Sequence, residues 1–358
     1  MSSDIPPSWL RATPPQNPGW KLMCAWDEPN VGGVGFIATM KAGLPPTPSL
    51  FYGTIKDFPF KACPPNSLKS QILADIGRAE VYAIPNEDVY PIVPTYTSFP
   101  TYATLGPLEN RPARPAGTMV KTPAVRFLPV PQSQDDVQVN IDVVKDSFDR
   151  EKQAFSNWAN QFRQNRNIIS GYLYTSEIRD GFVKGLVYDD IRLDGVRVEN
   201  SERVEVSPVP RPYTRVDGNQ GWLWRHDAAV RPDCDLATLR ALEPEVLRSL
   251  VDKDLFRKRT IIRGVENAFR YLHIQGCAHN NIRPEHVLIT LDTRYRPEAK
   301  TEFYWPVLTG FKACKILGLE VDFIDSDGRY KKLHSSVSND EKAMSELEAC
   351  VDEILEKL

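Results

Sequence analysis

Short apolar runs separated by prolines and glycines fill most of residues 21–114. Runs that combine aromatic and aliphatic residues between Pro and Gly boundaries are typical of strands, and they occur at 20–26, 36–40 and 50–55. After a proline pair the apolar residues recur at helical steps, which predicts one helix among the strands. We therefore predict a mixed, strand-rich N-terminal extension over 21–114, to which the sequence assigns no function. Residues 1–20, rich in Pro, Ser and Asn, are predicted to form a mobile leader.

Two glycine-rich segments are predicted to be turns or loops. Gly32 to Gly35 lies between two strand-like runs and favours a hairpin turn, with a phosphate-cradling loop as the alternative. The second segment, Gly218 to Gly221, lies inside a polar stretch with several prolines. We interpret that stretch, residues 193–235, as an insertion or a long loop.

The pattern changes at about residue 115. Short strand-like runs at 119–121 and 125–128 are followed by a predicted helix over 141–162. The apolar run at 182–188 predicts a further strand, and Asp180-Gly181 before it suits a hairpin turn. We assign residues 115–192 to one structural unit.

Residues 236–358 are predicted to be largely helical. A long helix from about Glu245 to His273 has one apolar stripe, which predicts a buried face. A polar loop follows this helix and leads into the apolar strand Val287–Ile289. A second strand precedes Phe311, and Asp340 to Leu358 reads as a final helix.

Composition narrows the class of protein. The chain has 358 residues and a net charge of −3, so it can bury a large core and shows no basic field that would suggest nucleic acid. No apolar run has membrane-spanning length, so no membrane association is expected. The six cysteines are scattered without a C-x-x-C pair. Zinc is therefore not expected, and a reducing compartment is, namely the cytoplasm with the nucleus as the alternative.

The loop after the long helix carries the motif on which the functional interpretation depends. From His279 to Ile289 it reads His-Asn-Asn-Ile-Arg-Pro-Glu-His-Val-Leu-Ile. This resembles the catalytic loop of protein kinases, usually written H-R-D-L-K-P-E-N-V-L, and the helix–loop–strand context agrees. In that register Asn281 stands at the catalytic aspartate, Arg283 at the lysine and His286 at the metal-binding asparagine.

A second segment, Val307 to Cys314, is similar to the kinase strand that leads into the D-F-G residues. Phe311 falls on the phenylalanine, Gly310 replaces the metal-binding aspartate and Lys312 replaces the glycine. The resemblance implies that His279 and Phe311 stack in the hydrophobic column between the kinase lobes.

The nucleotide side of the resemblance depends on residues before the long helix. Lys121 and Glu151 have the order of the lysine that grips the ATP phosphates and the glutamate that holds it, and ordinary solvated residues are the alternative. The resemblance also implies that main-chain groups near Tyr188 face an adenine ring. It gives Asp340 the role of the aspartate that holds the catalytic loop from a buried helix.

The substitutions remove groups that phosphoryl transfer needs. The neutral amide of Asn281 cannot take up a proton near neutral pH, and loss of a general base typically costs about 10²–10⁴ in rate. Gly310 has no side chain, and the imidazole of His286 is a poor magnesium ligand. Arg283 could still contact a phosphate or an acidic partner, or it is an ordinary surface cation.

The resemblance therefore implies a two-lobed, protein-kinase-like α+β fold, with one lobe over 115–192 and a shortened C-terminal lobe over 236–358. The sequence is similar to those of the divergent kinase-like proteins found in multiple copies in filamentous fungi. The implied function is that of a catalytically impaired pseudokinase, a binding or scaffold module with an unidentified protein partner. ATP is a candidate ligand, and Mg²⁺ is not expected.

Two other interpretations stay open. An atypical active Ser/Thr kinase could bind metal through displaced carboxylates, for which Asp322, Asp325 and Asp327 are candidates, although a solvated acidic loop explains them as well. The other is an unrelated α+β protein with a chance match at 279–288.

Overall fold

A computed structural model describes residues 5–13, 20–40, 50–92, 118–128, 134–162, 165, 167–168, 175–179, 181–189, 211–215, 217–224, 235–291 and 303–358. These residues form a mixed α+β protein with antiparallel sheets, which confirms the predicted class at that level. The helices are α1 (Pro65–Asp75), α2 (Asn86–Val89), α3 (Gln134–Phe162), α4 (Leu236–Ala241), α5 (Pro244–Leu250), α6 (Lys258–Ile274) and α7 (Val337–Lys357). The strands are β1 (Leu10–Ala12), β2 (Trp20–Glu28), β3 (Gly33–Met40), β4 (Leu50–Ile55), β5 (Glu80–Ile84), β6 (Thr118–Lys121), β7 (Thr175–Arg179), β8 (Phe182–Asp189), β9 (Arg211–Thr214), β10 (Gln220–Leu223), β11 (Cys277–Ala278), β12 (Val287–Thr290), β13 (Trp305–Leu308), β14 (Lys315–Ile316), β15 (Glu320–Ile324) and β16 (Tyr330–His334).

A seven-stranded antiparallel sheet organises the N-terminal part of the chain, in the order β1-β5-β4-β3-β2-β10-β9. β2 and β3 pair directly as a hairpin, with Gly32 at a φ of 60° in the connection, so the hairpin interpretation of Gly32 to Gly35 holds. The predicted helix after the proline pair is α1. Its buried residues Leu68 and Ile72 pack with Phe36 of the sheet.

The segment predicted as an insertion, residues 193–235, needs correction because part of it belongs to this sheet. β9 and β10 form a hairpin, and β10 pairs with β2 from Gly221 opposite Trp26 to Leu223 opposite Cys24. Without β10, β2 would present an edge of unpaired N–H and C=O groups. The pairing joins strands far apart in the chain, which a local hydrophobic pattern does not reveal.

The leader predicted over residues 1–20 also needs correction. β1 pairs with β5, with Leu10 opposite Ala83. Beside it, Trp9 is buried, and its indole N–H donates to the carboxylate of Asp88 at 2.9 Å. A single tryptophan therefore holds a segment whose composition suggested a mobile one.

Two predicted elements have different forms. The run at 125–128 is a 3-10 turn over Val125–Phe127 and not a strand, because Pro123 precedes it and lacks the N–H that a ladder requires. The long helix predicted over 245–273 is divided into α5 and α6. Between them the Asp252 side chain accepts the N–H of Asp254 at 2.9 Å, a local turn that competes with the helix.

The helix α3 connects two cores. It lies beside a three-stranded sheet in the order β6-β8-β7, in which β7 and β8 form the predicted hairpin with Gly181 at a φ of 80°. Near its start, Ile141 and Val144 pack with residues of the large sheet. Further along, Phe148 packs into the core that α4, α6 and α7 share with β12 and β13. No helix within the described ranges is long and apolar enough to cross a membrane.

The correction for β10 leads to a stability prediction. A Cβ at Gly221 would lie 2.7 Å from the Tyr213 ring and 2.8 Å from the Ala25 carbonyl oxygen, so Gly221→Ala should lower the free energy of unfolding by about 1–3 kcal/mol. Gly77→Ala is the matched control, because a Cβ there meets nothing within 4 Å. Denaturant unfolding measures both variants. Equal midpoints would contradict the close approach of β10 to β2.

Candidate functional site

The polar loop of the predicted motif lies between α6 and β12. The apolar stripe of α6, which includes Ile261, Val265 and Leu272, is buried in the C-terminal core. Gly276, with a φ of 74°, ends the helical path, because this backbone conformation suits glycine. β11 then pairs with β14, and this pairing fixes the backbone immediately before the loop.

Asp340 on α7 binds the start of the loop. It is fully buried, and its two carboxylate oxygens accept the N–H groups of His279 at 2.9 Å and Asn280 at 2.7 Å. The ring nitrogen Nε2 of His273, at the end of α6, lies 2.9 Å from the same carboxylate. Asp340 therefore holds the backbone of the loop from a buried helix, as expected for this residue.

Asn280 is an organising residue that sequence reasoning missed. It has a φ of 61°, a conformation that asparagine tolerates better than most residues. Its amide nitrogen lies 3.0 Å from the carbonyl oxygens of Ala278 and Ala313 and 2.9 Å from the Ser335 hydroxyl. Its amide oxygen accepts the side-chain N–H of Asn339 at 2.9 Å. The two adjacent asparagines in the motif were the available signal.

His279 and Phe311 are in contact, with ring centroids 5.0 Å apart in an edge-to-face arrangement. Burial lowers the pKa of His279, although the Asp340 carboxylate opposes this shift. Its Nδ1 accepts the N–H of Asn281 at 3.3 Å, so its Nε2 donates to the Thr309 carbonyl at 2.9 Å. The structure thus places these two rings together, as the resemblance implied.

Asn281, His286 and Gly310, the positions at which the motifs depart from the kinase pattern, lie close together. Nδ1 of His286 donates to the Asn281 carbonyl at 2.6 Å. Gly310 has a φ of 80°, and a Cβ added there would lie 2.5 Å from Cδ2 of His286. The imidazole therefore occupies the space that a side chain at position 310 would need.

The electrostatics of His286 follow from burial. Desolvation lowers its pKa well below the ordinary value, and the nearby Lys312 and His279 lower it further. The ring is therefore neutral near pH 7. Neither it nor Gly310 offers the hard oxygen ligands that Mg²⁺ requires, so these residues do not fit a magnesium ion. Across the described ranges, no group of three or more His, Cys, Asp or Glu side chains could hold a metal ion.

Lys121 and Glu151 form an ion pair. The ammonium of Lys121, on β6, lies 2.7 Å and 2.6 Å from the two carboxylate oxygens of Glu151 on α3. The glutamate is 2% exposed, whereas the lysine keeps 36% of its side chain accessible. The carboxylate is thus buried, whereas part of the lysine side chain stays accessible to solvent.

Arg283 is bound by carboxylates of its own chain. Its guanidinium lies 3.0 Å from Glu285, 3.0 Å from Asp327 and 3.6 Å from Asp325. The last two belong to the turn between β15 and β16. This turn also lies against β9, so closely that a Cβ at Gly328 would collide with the Thr214 carbonyl.

The displaced aspartates proposed as metal ligands are likewise paired with cations. Asp325 is 1% exposed, and Lys331 lies 3.0 Å from it. Asp322 lies 3.7 Å from Arg150, whose guanidinium also donates to the Asp322 carbonyl. Asp327 is the aspartate closest to Arg283.

Lys312 is a largely buried lysine of the site whose pKa is lowered. Its pKa is lowered from 10.5 to about 7, mainly by burial and also by the positive charges of Arg126 and Lys121. Its ammonium donates to the Ile324 carbonyl at 2.7 Å. The Lys312 ammonium therefore loses its proton more readily than an exposed lysine does.

Tyr188 lies near the end of β8, with its backbone paired opposite Met119 of β6. The segment that would continue from it towards an adenine ring begins at residue 190 and lies outside the described residues. The structure thus brings Asn281, His286 and Gly310 together and pairs Lys121 with Glu151, and it leaves the expected role of Tyr188 as a prediction.

Comparison of the chain with protein-family models, with curated proteins and with solved structures finds no match. The functional interpretation therefore depends on the geometry of the site.

Replacing Asp340 tests its role in holding the loop. Asp340→Ala leaves two buried N–H groups without an acceptor, each worth about 1–3 kcal/mol, so we expect a loss of about 3 kcal/mol in unfolding free energy. Asp352→Ala is the control on the same helix, because that side chain is 51% exposed and pairs with Lys258 at 2.6 Å. Exposed pairs contribute less than about 1 kcal/mol. Similar losses in the two variants would contradict this role.

The lowered pKa of Lys312 predicts a pH dependence. The unfolded amine has a pKa of 10.5 and the folded one about 7, so the folded state binds fewer protons between these values. The free energy of unfolding should therefore rise with pH across this window, and the full cost of burying the charge remains below about pH 7. Denaturation at pH 6.5 and pH 9 should show a larger gain for the wild type than for Lys312→Met. Parallel pH profiles would exclude the shift.

Proposed function

We propose that the chain is a protein-kinase-like protein whose catalytic apparatus is impaired and that it acts as a binding or scaffold module. The observation that carries this proposal is the contact between His286 and Gly310. In the kinase register these two positions supply the metal ligands, and here one has no side chain while the other fills the vacant space. A metal-bridged phosphoryl transfer requires carboxylate oxygens at this point.

Three further contacts support the kinase-like part of the proposal. Lys121 meets Glu151, the His279 ring packs on Phe311, and Asp340 holds the loop backbone. Each of these contacts is expected from the resemblance, and they involve five separate segments of the chain. The proposal assigns one lobe to residues 115–192 and a shortened second lobe to 236–358.

The contacts of the aspartates favour the impaired protein over an atypical active kinase. Arg283 lies beside the carboxylates of Asp325 and Asp327, so a metal ion bound by either one would have to displace it. Arg283 itself is engaged by this turn, so it is not free to contact a phosphate unless the turn moves. Asn281 cannot act as a base in either case.

The remaining parts of the proposal concern ligands and location. A protein partner is proposed for the scaffold role, ATP is kept as a candidate ligand, and Mg²⁺ and nucleic acid are not expected. A cytoplasmic protein is proposed, with the nucleus as the alternative. These statements follow from the resemblance and the composition.

A restoration experiment tests the proposal. The variant Asn281→Asp, His286→Asn, Gly310→Asp introduces oxygen ligands at the three positions, and asparagine at 286 is smaller than the imidazole that a side chain at 310 would meet. We expect ATP to raise the melting temperature of this variant more in Mg²⁺ than in EDTA, because a ligand stabilises the state that binds it. The wild type should show no such Mg²⁺-dependent difference.

The wild-type chain supplies the decisive arm even if the restored variant fails to fold. With Mg²⁺-ATP and casein as acceptor, the wild type should transfer phosphate at the background rate of Lys121→Ala. Transfer by the wild type that is lost in Asp325→Asn would overturn the proposal and establish the atypical kinase instead.

A further inference from the structure

The exposed face of α6 carries a row of positive charge, the basic row. It contains Arg259, Arg263 and Arg270, with Glu266 as its one acidic member. These residues follow one another at intervals of four, three and four, so they lie on one face of a helix with about 3.6 residues per turn. All three arginines are exposed, and none of them has an ion pair within the part of the chain that the structure describes. This face therefore presents unpaired positive charge to solvent.

The exposed face of α7 carries a row of the opposite sign, the acidic row. It consists of Glu341, Ser345, Glu348 and Asp352, all of them exposed. Their intervals of four, three and four residues are the same as those of the basic row. Glu341 and Glu348 have no ion pair among the described residues, and Asp352 contacts Lys258 of α6 at 2.6 Å. The two helices thus match in the spacing of their charges and differ in sign.

The two rows lie side by side and run in opposite directions. Lys258 at the start of α6 contacts Asp352 near the end of α7, and His273 near the end of α6 lies 2.9 Å from Asp340 near the start of α7. Both helices rise by about 1.5 Å per residue, so the residues between these contacts stay level along the two axes. The pairs at equal height are Arg259 and Asp352, Arg263 and Glu348, Glu266 and Ser345, and Arg270 and Glu341. Every arginine of the basic row is therefore level with a carboxylate, and the single glutamate is level with a serine.

A two-fold axis that runs parallel to the helices, between the two rows, makes this surface complementary to itself. Rotation by 180° about that axis exchanges the rows and keeps the height of each residue. The basic row of one copy then faces the acidic row of the other, and each contact occurs twice, as in any isologous interface. A two-fold axis across the helices would instead place like charges on each other, which costs free energy.

Apolar residues at one end of the rows fit the same arrangement. Ile274, four residues after Arg270, is 79% exposed. Val337, four residues before Glu341, begins α7 and is only partly buried. The rotation places these two side chains opposite each other, where they remove apolar surface from water. The same register thus matches both charge and polarity along the two helices.

We propose that the surface formed by α6 and α7 binds a second copy of this chain as a symmetric dimer, with the basic row of each copy on the acidic row of the other. The inference goes beyond the proposed function and does not depend on it, because it uses no residue of the kinase-like motifs. Exposed ion pairs contribute little each, so the dimer is weak, reversible and sensitive to ionic strength.

Sedimentation equilibrium of the full-length chain tests the dimer. We expect the wild type to convert from monomer to dimer between about 1 μM and about 1 mM protein, the range of weak complexes. Between about 0.01 M and about 1 M ionic strength the Debye length falls from about 30 Å to about 3 Å, so the dissociation constant should rise at least roughly tenfold. A chain that stays monomeric at low ionic strength, or a dimer that salt does not weaken, would overturn the proposal.

Charge reversal tests the register. Arg263→Glu with Arg270→Glu makes both rows acidic, and Glu341→Arg with Glu348→Arg makes both rows basic. Each double variant turns most of the ion pairs into like-charge contacts, so its self-association should weaken by roughly a hundredfold. An equimolar mixture of the two variants should associate as tightly as the wild type, because every acidic row then faces a basic one. Misfolded chains would not show this recovery. Tight self-association of either variant, or a mixture that stays monomeric, would contradict the register.

Glu346→Arg is the matched control for Glu348→Arg, because Glu346 is exposed on the same helix outside the acidic row and the change in net charge is equal. Glu348→Arg should weaken the dimer by roughly tenfold, whereas Glu346→Arg should stay within about twofold of the wild type, since its charge acts only through screened, longer distances. Both variants should keep the wild-type melting temperature at low protein concentration. An equal loss in the control would overturn the interface. So would unchanged association with a lower melting temperature, which would assign these charges to contacts within one chain.

Discussion

The buried carboxylate of Asp340 determines the course of the loop, and much of the C-terminal core depends on it. It receives two backbone N–H groups from the loop and one side chain from the end of α6, so it joins the last helix to two other segments. Asn280 completes this arrangement with bonds to the segments around Ala313 and Ser335. These contacts use the backbone of the loop. The side chains that follow in the sequence can therefore change without altering the path of the chain.

Most of the carboxylates at the site are paired with cations. Glu151 is neutralised by Lys121, and the acidic turn after β15 is neutralised by Arg283 and Lys331. Because that turn touches both the loop and β9, it connects the large N-terminal sheet to the loop. Within the described residues, no carboxylate forms an ion pair with Lys312, whose ammonium donates to the Ile324 carbonyl instead.

Local pattern predicted the elements that depend on neighbouring residues. Periodicity or turn residues of their own indicate the helix α1, the strands β6 and β12, and the hairpin of β7 and β8. The motif itself indicated the contact of Asp340 with the loop. Local pattern failed where distant residues decide the outcome. β10 completes the edge of β2, Trp9 holds the first strand, and Asp252 ends a helix that the apolar stripe alone would continue. The pairing of Arg283 with the turn after β15 also lies beyond local reasoning, since the hairpin was read as an acidic loop.

Gly310 and His286 restrict how this sequence can change with time. Any residue with a Cβ at position 310 meets the imidazole, and the backbone there is left-handed as well. A single substitution that places a carboxylate at 310 therefore meets both obstacles. The two positions are therefore coupled, since the side chain at 286 determines which residues position 310 can accommodate.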